Sequence, residues 1–245
     1  MNYIRALALG LFTFSYLAIP DCFASVVITG TRIIYSESIK EKTVQLTNND
    51  NYPNIMHVWM DTDSGHLATK NSEIPFIITP PIFRMEPKSG QQLRLHFTGD
   101  SLPKDRESMF YLNVSQTPSL DEKHYTMNKL VFIFNTRIKV FFRPRNLVGN
   151  LNKLANELIF IPSQNKISIQ NPTGYYAVIR FIELLSKSKP VKIANSLLIA
   201  PKSSVDCALP MPIDNKAEQR LELTLVNDHG ADVTSQRILS VNQLD

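Results

Sequence analysis

Residues 128–144 read NKLVFIFNTRIKVFFRP, and this stretch decides the fold that the sequence predicts. Side chains alternate between the two faces of a strand, so every second residue shares a face. Large apolar residues occupy both faces here, with one row of Leu130, Phe132 and Phe134 and a second row of Val131 and Ile133. The predicted strand covers residues 128–142. It ends before Pro144, because proline cannot continue a central ladder.

Two interpretations of this strand stay open. It could be a central strand that is buried on both faces. Alternatively, one face packs on the core of its own domain and the other offers a row of large apolar side chains to a partner strand, which is how added strands gain specificity. An exposed edge of this kind favours aggregation unless a partner regularly covers it.

Short strand-like segments flank the Arg143-Pro144-Arg145 junction on both sides, and we place a domain boundary there. Before it, strands are predicted at residues 26–35, 42–47, 55–61, 76–79, 92–98, 109–116 and 128–142. After it, they are predicted at residues 157–161, 166–170, 176–185, 196–199, 203–208, 220–226 and 236–241. Seven or so short strands in each half predict two all-β sandwiches of the immunoglobulin type. We expect no helix at residues 147–158, which are short and Asn-rich.

Composition is that of a folded protein rather than a disordered or collagen-like one. Of the 245 residues, 43% are apolar and 20% are charged, with 8 Gly and 15 Pro. The formal net charge of +4 is small for a chain of this length. Binding of nucleic acid would call for clustered basic side chains, so nucleic acid is not an expected partner.

Residues 1–24 have the pattern of a secretory signal peptide. One positive charge at Arg5 precedes an apolar run over residues 6–19, and a polar exit ends at Ala24. The run is shorter than the roughly 20 residues that a membrane-spanning helix needs. No later segment resembles a span. Cleavage would make the mature chain begin at Ser25 and would leave Cys207 as its lone cysteine, which we expect to be a small buried residue within a strand.

The sequence shows no catalytic or metal-binding motif. Its five histidines form no pair with metal-ligand spacing, and no glycine-rich phosphate loop or nucleophile elbow is present. We therefore expect neither an enzyme nor a protein with a metal ion or cofactor.

Several phrases together resemble the periplasmic pilus (fimbrial) assembly chaperones of the PapD-like family. They are spread in order over the whole mature chain and read TRIIY at 31–35, TPPIFRMEP at 79–87, DRESMFYLN at 105–113, RIKVFFRP at 137–144, QNPTGYY at 170–176 and VNDHG at 226–230. The short polar stretch at 118–129 is similar to the short-loop type of this family. The resemblance implies two immunoglobulin-like domains, at residues 25–144 and 145–245, that form an L-shaped pair around an interdomain cleft.

The resemblance also implies a binding site for pilin subunits. Arg32 and Lys139 match the two basic residues that anchor the C-terminal carboxylate of the subunit in the cleft. Leu130, Phe132 and Phe134 match the alternating residues that fill the groove left by the missing strand of the subunit, which is donor-strand complementation. Lys139 has the opposite strand parity to Leu130, so either a bulge or a cleft beyond the groove is expected.

A second implied set consists of Glu107, Arg143 and Asp228, which match charged residues that link the two domains. The implied function is to bind newly exported pilins in a Gram-negative periplasm and to hand them to an outer-membrane usher. The alternative from a different class is a secreted structural or adhesive β-sandwich, such as a pilin. That alternative predicts a free donor extension and a cysteine pair. Self-association of the free protein through its exposed edge stays open.

Overall fold

The computed structural model describes residues 25–62, 74–99, 102–119, 130–163, 165–185, 190–210 and 219–239. The predicted signal peptide at 1–24 lies outside them, as does most of the loop at 118–129. Over the described ranges, no helix is long and apolar enough to cross a membrane.

Nine strands before the junction form two sheets. Their bounds are β1 Val26–Ile28, β2 Arg32–Ser36, β3 Glu41–Asn48, β4 Asn54–Asp61, β5 Phe76–Thr79, β6 Ile82–Met85, β7 Gly90–Phe97, β8 Ser108–Pro118 and β9 Phe134–Arg143. One sheet has the order β2-β9-β8-β4-β6, and the other has the order β1-β3-β7-β5. Neighbouring strands are antiparallel except for β2 and β9, which run parallel.

Seven strands after the junction form a second pair of sheets. Their bounds are β10 Ile159–Pro162, β11 Lys166–Asn171, β12 Ala177–Leu185, β13 Val191–Ile199, β14 Ser203–Ala208, β15 Gln219–Val226 and β16 Asp232–Leu239. The sheet orders are β10-β11-β14 and β13-β12-β15-β16. Both halves are therefore built from β-sheets, as the sequence predicts, and the second half adds one short helical segment.

Each half has its own apolar core, made by the period-two pattern of its strands. On β7, Leu93 and Leu95 are buried while Arg94 and His96 are exposed. Burying one such leucine side chain contributes about 1.5 to 3 kcal/mol. Cys207 lies buried in β14, as predicted, and burial raises the pKa of its thiol.

The predicted strand at residues 26–35 is wrong in one respect, because the structure splits it into two strands in different sheets. β1 pairs with β3, whereas β2 pairs with β9. Gly30 lies between them with a φ of 95°, a left-handed conformation that side chains disfavour and glycine adopts freely. The chain therefore crosses from one sheet to the other at this glycine.

The last predicted strand of the first half also needs a correction. The strand expected at residues 128–142 begins only at Phe134 and continues through Arg143. Residues 130–133 lie before the ladder begins, and residues 128 and 129 are outside the described ranges. The ladder is shorter because β8 pairs with β9 only as far as Gln116.

The expectation that residues 147–158 hold no helix is wrong. A 3-10 turn at Leu151–Lys153 leads into a short α-helix at Leu154–Glu157. The Asn150 side chain accepts a hydrogen bond from the Asn152 backbone N–H at 3.0 Å and caps the turn. Asparagine therefore starts the helical segment here instead of preventing it.

In each half, a buried asparagine forms the same kind of hydrogen bond where the chain leaves the end of a strand. Asn48 at the end of β3 donates from Nδ2 to the carbonyl of Tyr52 at 3.2 Å. Asn171 at the end of β11 donates from Nδ2 to the carbonyl of Tyr175 at 2.7 Å. Both side chains are fully buried. Each amide supplies hydrogen bonds to main-chain groups that leave the sheet at the corner.

Candidate functional site

Strand β9 has one paired edge and one edge that is only half covered. Along its whole ladder it pairs with β8, from Phe134 to Phe142. On its other side it pairs with β2, but only from Lys139 to Arg143. Over residues 134–138 this second edge has no strand partner among the residues described. Its main-chain groups can therefore form a ladder with another chain.

The apolar row predicted as a binding surface is exposed at this end of β9. Leu130, Phe132 and Phe134 are 79%, 61% and 57% exposed, and the rings of Phe132 and Phe134 stack with centroids 6.5 Å apart. The interpretation of this stretch as a strand buried on both faces is therefore wrong. Phe134 lies on the same face of β9 as Ile138 and Val140, which are buried in the core of the first half. The exposed apolar row therefore extends the core-facing side of β9 past the end of that core.

Arg32 and Lys139 lie side by side where the open edge begins. They are register partners at the first rung of the parallel β2–β9 ladder. The Arg32 Nη1 donates to the carbonyl of Val226 at 3.2 Å, while its buried Nε has no hydrogen-bond partner among the described atoms. Burial lowers the pKa of Arg32, with the charge of Asp228 opposing that shift and the charge of Arg180 adding to it.

Neither cation of this pair has an acidic partner at ion-pair distance in the part of the chain that the structure describes. The Lys139 Nζ lies 5.9 Å from the centroid of the Tyr111 ring. A pair of cations without a counter-ion beside an open strand edge can bind a carboxylate.

The parity of Lys139 is explained by the regular register of β9. The β8–β9 ladder keeps one register from Phe134 to Phe142, without a bulge. Lys139 therefore projects from the face opposite to Phe134. The cleft that holds the two cations lies beyond the end of the apolar row and on the other face of the strand.

The structure also brings together the three charged residues that the resemblance links across the domains. Arg143 Nε donates to Glu107 Oε1 at 2.6 Å, and its two terminal nitrogens donate to the two oxygens of Asp228 at 2.6 and 2.9 Å. The side chains of Glu107, Arg143 and Asp228 are 3%, 19% and 27% exposed. This ion network joins strand β9 and the segment before β8 to the turn between β15 and β16.

Burial and charge act against each other in the ion network. Burial raises the pKa of Glu107, and the Arg143 guanidinium and the Tyr176 N–H offset part of that rise. Burial lowers the pKa of Arg143, but hydrogen bonds to Asp228 and the charge of Glu107 outweigh it, so this pKa lies above its usual range. Arg143 is therefore charged at any physiological pH.

Main-chain and ring contacts extend the junction between the halves. The Tyr176 N–H donates to Glu107 Oε2 at 2.8 Å, and the Tyr176 and Phe141 rings lie 5.4 Å apart. Gly230 has a φ of 82°, and a side chain there would collide with the Thr31 hydroxyl. Sequence reasoning does not find the role of Tyr176, because a main-chain donor leaves no signal in residue type.

Three comparisons with known proteins bear on this geometry. A model of the pili and flagellar-assembly chaperone PapD N-terminal domain matches residues 25–148, and a model of the pili assembly chaperone PapD C-terminal domain matches residues 153–237. The chain belongs to the PapD-like pilus-assembly chaperone family. The structural or adhesive alternative is not favoured.

Members of this family share both sequence and fold with the chain. The chaperone protein HifB of Haemophilus influenzae is 35% identical over 219 residues, covering 88% of each protein. The crystal structure of the YadV chaperone matches with a TM-score of 0.75 and 32% identity, over 88% of this chain and 100% of that one. The SafB chaperone of Salmonella enterica, solved in complex with the SafA pilin, matches with a TM-score of 0.71 and 26% identity, over 89% and 97% of the two chains. The two-domain sandwich fold is thus that of pilus chaperones.

No group of three or more His, Cys, Asp or Glu side chains that could hold a metal ion occurs within the described ranges. The site consists of an open main-chain edge, an apolar row and two cations. Main-chain hydrogen bonds, apolar filling and a charged anchor are the means by which an added peptide strand can be bound.

Proposed function

We propose that this protein is a periplasmic chaperone that binds pilin subunits by donor-strand complementation and delivers them to an outer-membrane usher. In this proposal, residues 130–138 act as the lent strand. Leu130, Phe132 and Phe134 fill the groove of the subunit, and Arg32 and Lys139 hold its C-terminal carboxylate. The half-open edge of β9 is the observation that carries the proposal.

The direction of the incoming strand follows from the position of β2. This strand runs parallel to β9 and starts at Arg32, opposite Lys139. A second strand placed beside residues 134–138 would lie in line with β2. If it also runs parallel to β9, its C-terminal end arrives at Arg32 and Lys139. A free carboxylate at that end would meet two cations that form no ion pair within the described ranges, so the site favours a C-terminal strand in parallel orientation.

The rest of the proposal follows the same family. We assign residues 1–24 to a cleaved signal peptide, residues 25–144 to the N-terminal chaperone domain and residues 145–245 to the C-terminal domain. The SafB chaperone, whose pilin complex shares this fold, supports a pilin as the partner. The proposed action needs only strand pairing and charge, so it involves no covalent step and no cofactor.

Co-purification from the periplasm tests the proposed function. The tagged protein would be produced in its source bacterium, and mass spectrometry would identify the proteins that remain bound. We expect pilins in stoichiometric amounts with the wild type and their loss with Phe132→Glu. A matched control is Ile238→Glu, because Ile238 is also 61% exposed but belongs to β16, in the half of the chain that does not contain β9. Equal pilin yield from Phe132→Glu and from the wild type would refute the lent strand.

A further inference from the structure

A third cation, Arg180, lines the cleft beside Arg32 and Lys139. The three side chains border one cavity of about 310 Å³, whose wall on the second domain also includes Val178 and Leu197. Arg180 is close enough for its charge to act on Arg32. Arg180 forms an ion pair with Asp232, whereas Arg32 and Lys139 have no ion-pair partner among the described residues, so the cavity carries an excess of positive charge that favours an anion.

Arg180 lies at an irregular point of strand β12. In the β12–β15 ladder the register shifts between Ile179 and Phe181, which makes Arg180 the extra residue of a bulge. Opposite it on β13, Ser196 has a φ of 48°, a conformation that is uncommon for a residue with a side chain. Ser196 also lines the cavity. Bulges redirect side chains toward binding sites.

Part of the Arg180 guanidinium is held and part is available. Its Nε donates to Asp232 Oδ1 on β16 at 2.6 Å. The two terminal nitrogens have no hydrogen-bond partner in the part of the chain described, and the side chain is 49% exposed. A guanidinium fixed at Nε presents its other donors in a defined direction, which suits a second carboxylate.

We propose that Arg180 is a third contact of the cleft and binds an acidic side chain among the last three residues of the captured pilin. This inference rests on the proposed function, because it needs the C-terminus of the pilin in the cleft. The main-chain carboxylate already meets Arg32 and Lys139 on the first domain. Arg180 lies on the facing domain among apolar residues, where a side chain of the terminal segment arrives. Sequence reasoning misses Arg180, and its signal is a charge flanked on both sides by apolar residues in the strand segment AVIRFIELL.

Peptide binding to the mature protein tests this assignment. The probes are twelve-residue peptides of alternating apolar residues with a free C-terminal carboxylate, each with Glu or Gln at one of the last three positions. A charge-assisted hydrogen bond at a half-exposed site predicts about tenfold tighter binding of the better Glu peptide than of its Gln partner. Arg180→Gln should abolish this preference, whereas Asp232→Asn should retain it, because an amide oxygen can still accept the hydrogen bond from Arg180 Nε. The control Arg84→Gln removes an equally exposed, ion-paired arginine of the first domain and should also retain it.

A second pair of probes separates this inference from the proposed function. Each peptide is compared with the same peptide carrying a C-terminal amide, which removes the charge that Arg32 and Lys139 are proposed to hold. If the amide weakens binding but Glu and Gln peptides bind equally, or if Arg180→Gln keeps the preference, the role of Arg180 is refuted and the carboxylate anchor stands. If acid and amide peptides bind equally, or if none binds, the proposed anchor fails and the role of Arg180 fails with it.

Discussion

Removing Arg143 should destabilise the protein far more than removing an ordinary surface arginine. Arg143→Ala leaves Glu107, which is 3% exposed, with the Tyr176 N–H as a hydrogen-bond donor but without its counter-ion. It also releases Asp228, which is 27% exposed and can be partly rehydrated. Breaking a buried ion pair by removing one partner costs about 3 to 5 kcal/mol. We expect a loss within that range, contributed mainly by the unpaired charge of Glu107.

The assay is urea unfolding followed by circular dichroism, with small-angle scattering of the folded protein as a second measurement. Arg84→Ala is the matched control, because Arg84 forms an exposed pair with Glu86 at 2.8 Å and such pairs contribute about 0 to 1 kcal/mol. Scattering should show a broader distribution of domain orientations for Arg143→Ala. Stability within about 1 kcal/mol of the Arg84→Ala variant, together with wild-type scattering, would refute a structural role for the ion network.

Three further predictions concern the two cleft cations, the buried Asn171 and the signal peptide. Arg32→Ala and Lys139→Ala should each lower the affinity for pilin at least tenfold while thermal stability stays near wild type, since a charge-assisted hydrogen bond contributes about 1.5 to 3 kcal/mol. Titration calorimetry measures this affinity, and unchanged affinity in both variants would exclude these two residues as the anchor. Asn171→Ala should lower the free energy of unfolding by about 1 to 3 kcal/mol, because it leaves buried carbonyls without their donor; urea unfolding that matches the wild type would contradict this. Protein isolated from the periplasm should begin directly after residue 24. It should contain one thiol, that of Cys207, which reacts with a thiol reagent only after unfolding. An intact mass that retains residues 1–24 would contradict the signal peptide.

The sequence predicts most strands because a period-two pattern is local. Leu93 and Leu95 alternate with Arg94 and His96, and no distant contact is needed to place that strand. The sheet change at Gly30 and the start of β9 at Phe134 depend on which strands lie alongside, and that information is not local. Apolar alternation at residues 130–134 looks the same whether the partner strand is present or absent.

The candidate site shows the same division between local and distant information. Arg143 and Asp228 are 85 residues apart in sequence, and no spacing rule connects them. Resemblance to a family links such residues, whereas physical pattern alone does not. Arg180 is missed by both routes, because the cavity that it lines is formed by strands that are distant in sequence.

Hydrogen exchange of the protein with and without its co-purified pilin tests the lent strand most directly. Complementation puts the main chain of residues 130–138 into a ladder with the pilin, so amide exchange there should slow strongly in the complex. The far end of the β16 edge, residues 235–239, serves as the internal control and should exchange at the same rate in both states. If a pilin complex forms while exchange at residues 130–138 is unchanged, this strand is not the one that the protein lends.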